Sequence, residues 1–162
     1  MKLLITLIYI TVTGQACFWT GLVLPRHLFF EDKFPFKAFR WEKNGRVYDA
    51  LKVKKWKTKV PDMSKVTDLL FPKRLQNNMT SADFDRLVKE SCIAELSHYV
   101  LFLLSYGVYY IWKGKTGLLL MALYNLIGNV PYVIIQRYNR PHFIKVRDRL
   151  KTREEMHQSA EC

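Results

Sequence analysis

Residues 116–141 read TGLLLMALYNLIGNVPYVIIQRYNRP, an apolar run that stops at a cluster of amides and guanidiniums around one tyrosine. Thr116 to Ile135 supplies the roughly 20 mostly apolar residues that a helix needs to cross a bilayer. On such a helix Asn125, Asn129, Tyr132, Gln136, Asn139 and Arg140 follow steps of four, three, four, three and one. At 100° per residue these positions fall within roughly a third of the circumference. They make one polar stripe that begins at membrane depth and runs out to the basic end. For Asn125 alone, glue between helices is a sufficient reading. Pro131 removes the bond from its own nitrogen to the Ile127 carbonyl, and Gly128 leaves that carbonyl uncovered, so a kink is expected there.

Two further runs have span length, Leu3 to Leu24 and Ile93 to Trp112. The first also resembles a signal peptide, with Lys2 ahead of Leu3 to Thr13 and Gly14-Gln15-Ala16 as a cleavage site. Apolar character resumes at Phe18-Trp19, which favours a retained anchor. Of the 26 Lys and Arg, 16 lie between Arg26 and Lys89 and seven between Arg137 and Arg153. With three spans these two segments share a side, and the excess of cations marks it as cytoplasmic. The expected organisation is an N-terminal anchor over residues 1–25, a basic and aromatic segment with an amphipathic helix over 26–92, a transmembrane hairpin over 93–140 and a charged cytoplasmic tail over 141–162.

The chain is thus read as an all-α membrane protein with about three spans. Its net charge of +12 calls for anionic partners. Between the first two spans aromatics alternate closely with lysines. This segment is expected at the membrane interface, with Phe29, Phe30, Phe34, Phe36, Phe39, Trp41 and Trp56 in the head-group layer and cations over the phosphates. Nucleic acid is not expected, because stacking of bases needs a folded platform. Thr80-Ser81-Ala82-Asp83 is a helix start, opening an amphipathic helix through Phe84, Leu87, Val88 and Ser91 that runs into the second span. The sequon Asn78-Met79-Thr80 is silent on a cytoplasmic loop. The cysteines at 17, 92 and 162 are scattered and lack a CxxC pair, which indicates neither a disulfide framework nor a zinc site.

The second span carries Glu95 and His98, three apart and on one helical face with Ser91, Phe102 and Ser105. An ionisable group at this depth is costly and usually faces the bundle interior. The spans are antiparallel. His98 lies about 8 Å from the cytoplasmic end of its span, and Tyr132 and Asn129 roughly 6 to 11 Å from the end of theirs. The two polar faces are therefore expected to meet in a pocket, with QRYNRP at its mouth. There Arg137 and Arg140, on a last helical turn before Pro141, can grip phosphate bidentately. Glu95-x-x-His98 is half of a di-iron motif and Glu154-x-x-His157 repeats its spacing. The second copy lies in the tail and further carboxylates at bundle depth are missing, so no metal is expected.

The blocks WEKNG (Trp41 to Gly45), VKKWKTKVPD (Val53 to Asp62), AELSH (Ala94 to His98) and NVPYVIIQRYNRP (Asn129 to Pro141) resemble the glycosyl-4,4'-diaponeurosporenoate acyltransferase family, small bacterial membrane enzymes of carotenoid glycolipid synthesis. The resemblance implies transfer of a fatty acyl group to the sugar 6-hydroxyl of a glucosylated carotenoid acid at the cytoplasmic membrane. It implies an acyl donor such as acyl-coenzyme A as co-substrate and no other cofactor. Acyl transfer to an alcohol requires a base for the hydroxyl proton and a stabilised oxyanion. His98, titratable near neutrality, is the candidate base and Glu95 its orienting partner. Asn129, Tyr132, Gln136 and Asn139 are candidates for binding the acceptor or the oxyanion. Arg137, Arg140, Lys55, Trp56 and Lys57, with Lys54, are candidates for binding the donor's phosphates at the interface. Membrane lipids, the two substrates and a second copy of the chain are the expected partners. The rival reading is a non-enzymatic membrane scaffold that recruits anionic lipid.

Overall fold

The structure, a computed structural model, describes residues 1–61 and 79–160. The sequon at Asn78 and the final residue of the VKKWKTKVPD block, Asp62, lie outside the described residues. The described chain is helical. In order it forms α1 (Lys2–Val23), short 3-10 turns at Arg26–Leu28 and Arg40–Gly45, α2 (Arg46–Ala50), α3 (Val53–Trp56), α4 (Ser81–Leu104), α5 (Tyr106–Trp112), α6 (Gly114–Gly128) and α7 (Val130–Ala160). Three helical stretches are long and apolar enough to cross a membrane: Lys2–Val23, Ser81–Trp112 and Gly114–Ser159. The expected all-helical, three-span class is therefore observed.

The chain divides into two compact units. The first comprises Met1–Leu24 and Ile93–Ile135, the second Pro25–Cys92 and Gln136–Cys162. In the first unit α5 packs on both α1 and α6. The Trp112 indole donates to the Thr6 hydroxyl at 2.8 Å, and the Tyr9 hydroxyl donates to the Leu104 carbonyl at 2.7 Å. Gly107 permits this approach: a Cβ there would stand 2.3 Å from the end of the Tyr9 ring. Gly107→Ala must push Tyr9 off and break its bond to Leu104, at an expected cost of about 1–3 kcal/mol for overpacking. Thermal melting in detergent micelles checks this, and Gly14→Ala, where a Cβ meets nothing within 4 Å, is the control.

Both hairpin helices break at polar residues. α4 gives way to α5 at Ser105, and α6 to α7 at Asn129, two residues before Pro131. The kink expected from Pro131 and Gly128 is thus observed as a break at Asn129, across which Asn129 N–H still reaches the Asn125 carbonyl at 3.0 Å. The hairpin turns at Lys113 and Gly114, both with φ near +50°.

In the second unit the 80–83 helix start has the expected form. The Thr80 backbone N–H donates to the Asp83 carboxylate at 2.8 Å, and the Asp83 N–H to the Thr80 hydroxyl at 3.3 Å. Phe84, Leu87, Val88 and Ser91 are all buried, as their spacing requires. Glu154 accepts from the Ser81 N–H and hydroxyl at 3.1 and 2.6 Å, so the acid of the second Glu-x-x-His sequence serves a helix N-terminus.

Two expectations change here. Phe29 and Phe36 are buried and pack at 5.8 Å, with Tyr48 also in the core, whereas Phe30, Phe34, Phe39 and Trp41 are exposed. The aromatic segment is therefore folded, and its rings divide between an interior and a surface. The helix that was expected to end before Pro141 instead runs on to Ala160. A proline deletes one hydrogen bond, and here neighbouring contacts hold the turn together. The His142 imidazole Nδ1–H donates to the Tyr138 carbonyl at 2.9 Å, and a Cβ added at Gly45 would reach van der Waals contact with the Pro141 ring.

Candidate functional site

The first unit brings His98 and the upper part of the polar stripe together. His98 Nδ1 lies 3.1 Å from Asn129 Oδ1, and the His98 and Tyr132 rings stack with centroids 4.6 Å apart and planes 15° from parallel. Beyond Asn129 the bonds continue inward. Asn129 Nδ2 donates to Asn125 Oδ1 at 2.8 Å; Asn125 Nδ2 donates to Ser105 Oγ at 2.7 Å and to the Met121 carbonyl at 3.1 Å. The Ser105 hydroxyl donates to the Phe102 carbonyl at 2.6 Å.

The direction of this relay is fixed at its far end. A backbone carbonyl can only accept, so the Met121 carbonyl requires the nitrogen side of the Asn125 amide. Asn125 Oδ1 then faces Asn129 and requires Asn129 to present its nitrogen there. Asn129 Oδ1 is left facing His98, and an oxygen in that place requires a proton on His98 Nδ1. The relay thereby sets the neutral imidazole as the Nδ1–H tautomer, with the lone pair on Nε2. Asn125 and Asn129 are buried, and His98 is half-exposed, so the held side of the ring is inside and the ring remains reachable. Among the described residues no buried side-chain N or O lacks a hydrogen-bond partner, as a network at membrane depth demands.

Glu95 is fully buried one turn before His98 and accepts a short hydrogen bond from the Tyr99 hydroxyl. The imidazole Nδ1 bonds the Asn129 amide, a partner that the sequence reading did not assign to it. Tyr99 and Ser105 are not among the site residues that the sequence suggests. Ser105 was legible on the stripe of α4, whereas Tyr99 carried no signal beyond standing one helical turn after Glu95.

The remaining candidates fall in the second unit. Arg137 and Arg140 are both buried and bound to the protein's own acceptors. Arg137 Nη1 donates to Glu42 at 3.0 and 3.3 Å and its Nη2 to the Pro35 carbonyl at 2.9 Å, with the Phe39 ring 4.6 Å beneath the guanidinium. Glu42 also accepts from the Tyr48 hydroxyl at 2.6 Å and from the Phe39 N–H at 3.0 Å. Arg140 donates to the Ser91 hydroxyl and carbonyl at 2.8 and 3.1 Å and to the Phe36 carbonyl at 2.8 Å. Two guanidiniums foreseen on an open helix end thus fasten the 35–48 segment to α7. Gln136 is buried beside them, and Asn139 accepts from the Lys57 ammonium at 2.8 Å. Burial, and secondarily the charge of Lys54, hold the Lys57 ammonium below the usual lysine range. Lys57 also lies 4.8 Å over the Tyr138 ring. Trp56 donates to the Leu51 carbonyl at 3.0 Å, and Lys55 is exposed.

Comparison with known proteins agrees with the resemblance read from the four blocks. The model of the glycosyl-4,4'-diaponeurosporenoate acyltransferase family matches residues 25–149. Curated relatives of that description from Staphylococcus aureus align over 139 residues, 85% of this chain and 82% of their own length. The protein of strain bovine RF122 / ET3-1 is 31% identical, that of strain MRSA252 31% and that of strain USA300 30%. No solved structure matches the chain.

Proposed function

Because this chain belongs to the glycosyl-4,4'-diaponeurosporenoate acyltransferase family and is a membrane acyltransferase, we propose that it esterifies the sugar 6-hydroxyl of a glycosylated carotenoid or related glycolipid at the cytoplasmic membrane face, with His98 as general base. The observation that carries this reading is the amide relay, which bonds the imidazole at Nδ1 and so puts the lone pair of the neutral ring on Nε2. Nε2 removes the proton of the attacking sugar hydroxyl as its oxygen adds to the carbonyl of the acyl donor, an acyl-coenzyme A or other thioester. The tetrahedral adduct collapses, the carbon–sulfur bond breaks, and the imidazolium returns its proton to the departing thiolate. Asn129 keeps the ring oriented through both transfers. Tyr132 stacks on the ring and holds its plane. Glu95 lies buried one turn away on the same helix. Gln136, Asn139, Lys55, Trp56 and Lys57 remain candidates for binding substrate.

Lipid mass spectrometry of cells with and without the protein tests the reaction. The expected result is an acylated glycolipid that appears only with the protein, its ester on the primary sugar hydroxyl. An ester on a secondary hydroxyl would overturn the regiochemistry. An unchanged glycolipid pool would favour the scaffold reading instead.

A further inference from the structure

The second unit contains a cavity of about 980 Å³ walled by the 31–49 segment and by residues 137–148 of α7. Its size matches sites for small molecules of about 300–1,000 Å³ and is too small for a polymer. The charges on its wall divide unequally once internal pairs are set aside. Glu42 is bound by Arg137, and Glu31 and Asp148 are bound by Arg147 at 2.6 and 3.0 Å. On the cationic side Lys43, Arg46 and Lys145 are exposed on the wall and take no ion-pair partner among the described residues. Asp49 is then the wall carboxylate without such a partner, again among the described residues. Three unpaired cations against one unpaired acid leave the cavity electropositive.

The backbone that presents two of these cations is itself held in an uncommon conformation. Lys43 has φ +47° and Gly45 φ +90°, and a Cβ added at Gly45 would touch the Pro141 ring and the Tyr138 carbonyl. A non-glycine residue in the left-handed region is disfavoured and persists where its surroundings impose it. The turn contributes Lys43 and Arg46, and α7 contributes Lys145, to the lining of the same cavity.

We infer that this cavity is a phosphate-ester site, with Lys43, Arg46 and Lys145 as its gripping cations. The inference rests on the acyltransferase reading in one respect: a thioester donor carried on a phosphate-bearing carrier is the ligand such a reaction supplies. The same chemistry is offered by the head group of an anionic phospholipid. In either case the buried Arg137 and Arg140 build the wall, and the three exposed cations hold the ligand.

The test uses the full-length protein in nanodiscs of phosphatidylcholine, titrated with adenosine 3',5'-bisphosphate by calorimetry, and a parallel set of discs containing phosphatidylglycerol. The protein is expected to bind one of the two phosphate esters. Substituting all three of Lys43→Ala, Arg46→Ala and Lys145→Ala is expected to weaken that binding at least about tenfold, with an unchanged melting temperature because all three side chains are exposed. Binding of the bisphosphate that phosphatidylglycerol does not displace assigns the soluble carrier. Retention of phosphatidylglycerol around the protein, with no uptake of the bisphosphate, assigns the lipid head group. Binding of neither, or binding that the triple substitution leaves intact, overturns the inference. Titration requires no turnover and is repeated on His98→Ala. A protein that acylates lipid but binds neither ester contradicts the cavity assignment alone, and one that binds but never acylates contradicts the reaction alone.

Discussion

Replacing His98 with alanine lowers acyl transfer by about 10²–10⁴-fold, the usual contribution of a positioned general base, while the protein keeps its level in the membrane. The ring bonds Asn129 through Nδ1 and stacks on Tyr132, and a melting temperature measured beside turnover separates loss of the base from loss of the fold. His98→Gln sharpens the result: an amide can donate to Asn129 as the ring does, yet it cannot accept a proton near neutral pH. The account therefore expects glutamine to restore melting temperature and not activity. A scaffold would be indifferent to both substitutions. Turnover measured with a thioester donor and extracted glycolipid, normalised to membrane level, separates the two readings.

The second large effect is on stability. Glu42→Ala removes the carboxylate that receives Arg137, the Tyr48 hydroxyl and the Phe39 N–H, all within a buried corner. Breaking a buried ion pair from one side costs about 3–5 kcal/mol, because the remaining charge loses its counterion where water cannot replace it. Glu42→Leu combined with Arg137→Leu should recover most of that loss, since the pair as a whole contributes far less than its broken half. Denaturation of the purified protein in detergent measures both. A loss below about 1 kcal/mol for Glu42→Ala would place the pair among exposed ones and would remove Arg137 as a strut of the second unit.

The three spans were legible because membrane crossing calls for a run of about 20 apolar residues, and three such runs stand in the sequence. The stripe from Asn125 to Tyr132 and the face of Glu95 and His98 were legible from helical spacing, as was the Thr80–Asp83 helix start. What local pattern could not disclose was the pairing across distance. Glu42 and Arg137 stand 95 positions apart, and nothing near either residue announces the other. The WEKNG block contains Glu42, but its neighbours are cationic and aromatic, and composition pointed the segment to the lipid surface. Phe29 and Phe36 went inside because Arg137 and Arg140 bind the Pro35 and Phe36 carbonyls and draw that strand of chain onto the helix. The same ties explain why α7 continues through Pro141, where a local rule ends it. The amide that bonds the imidazole, Asn129, stands at the break between α6 and α7.

Nitrogen NMR of the protein labelled with 15N-histidine tests the fixed base most directly, with the His98 signals assigned by their loss in His98→Gln. The relay predicts that the neutral ring carries its proton on Nδ1 and its lone pair on Nε2, and that Asn129→Leu abolishes this preference. A ring protonated on Nε2, or a tautomer indifferent to Asn129→Leu, would contradict it.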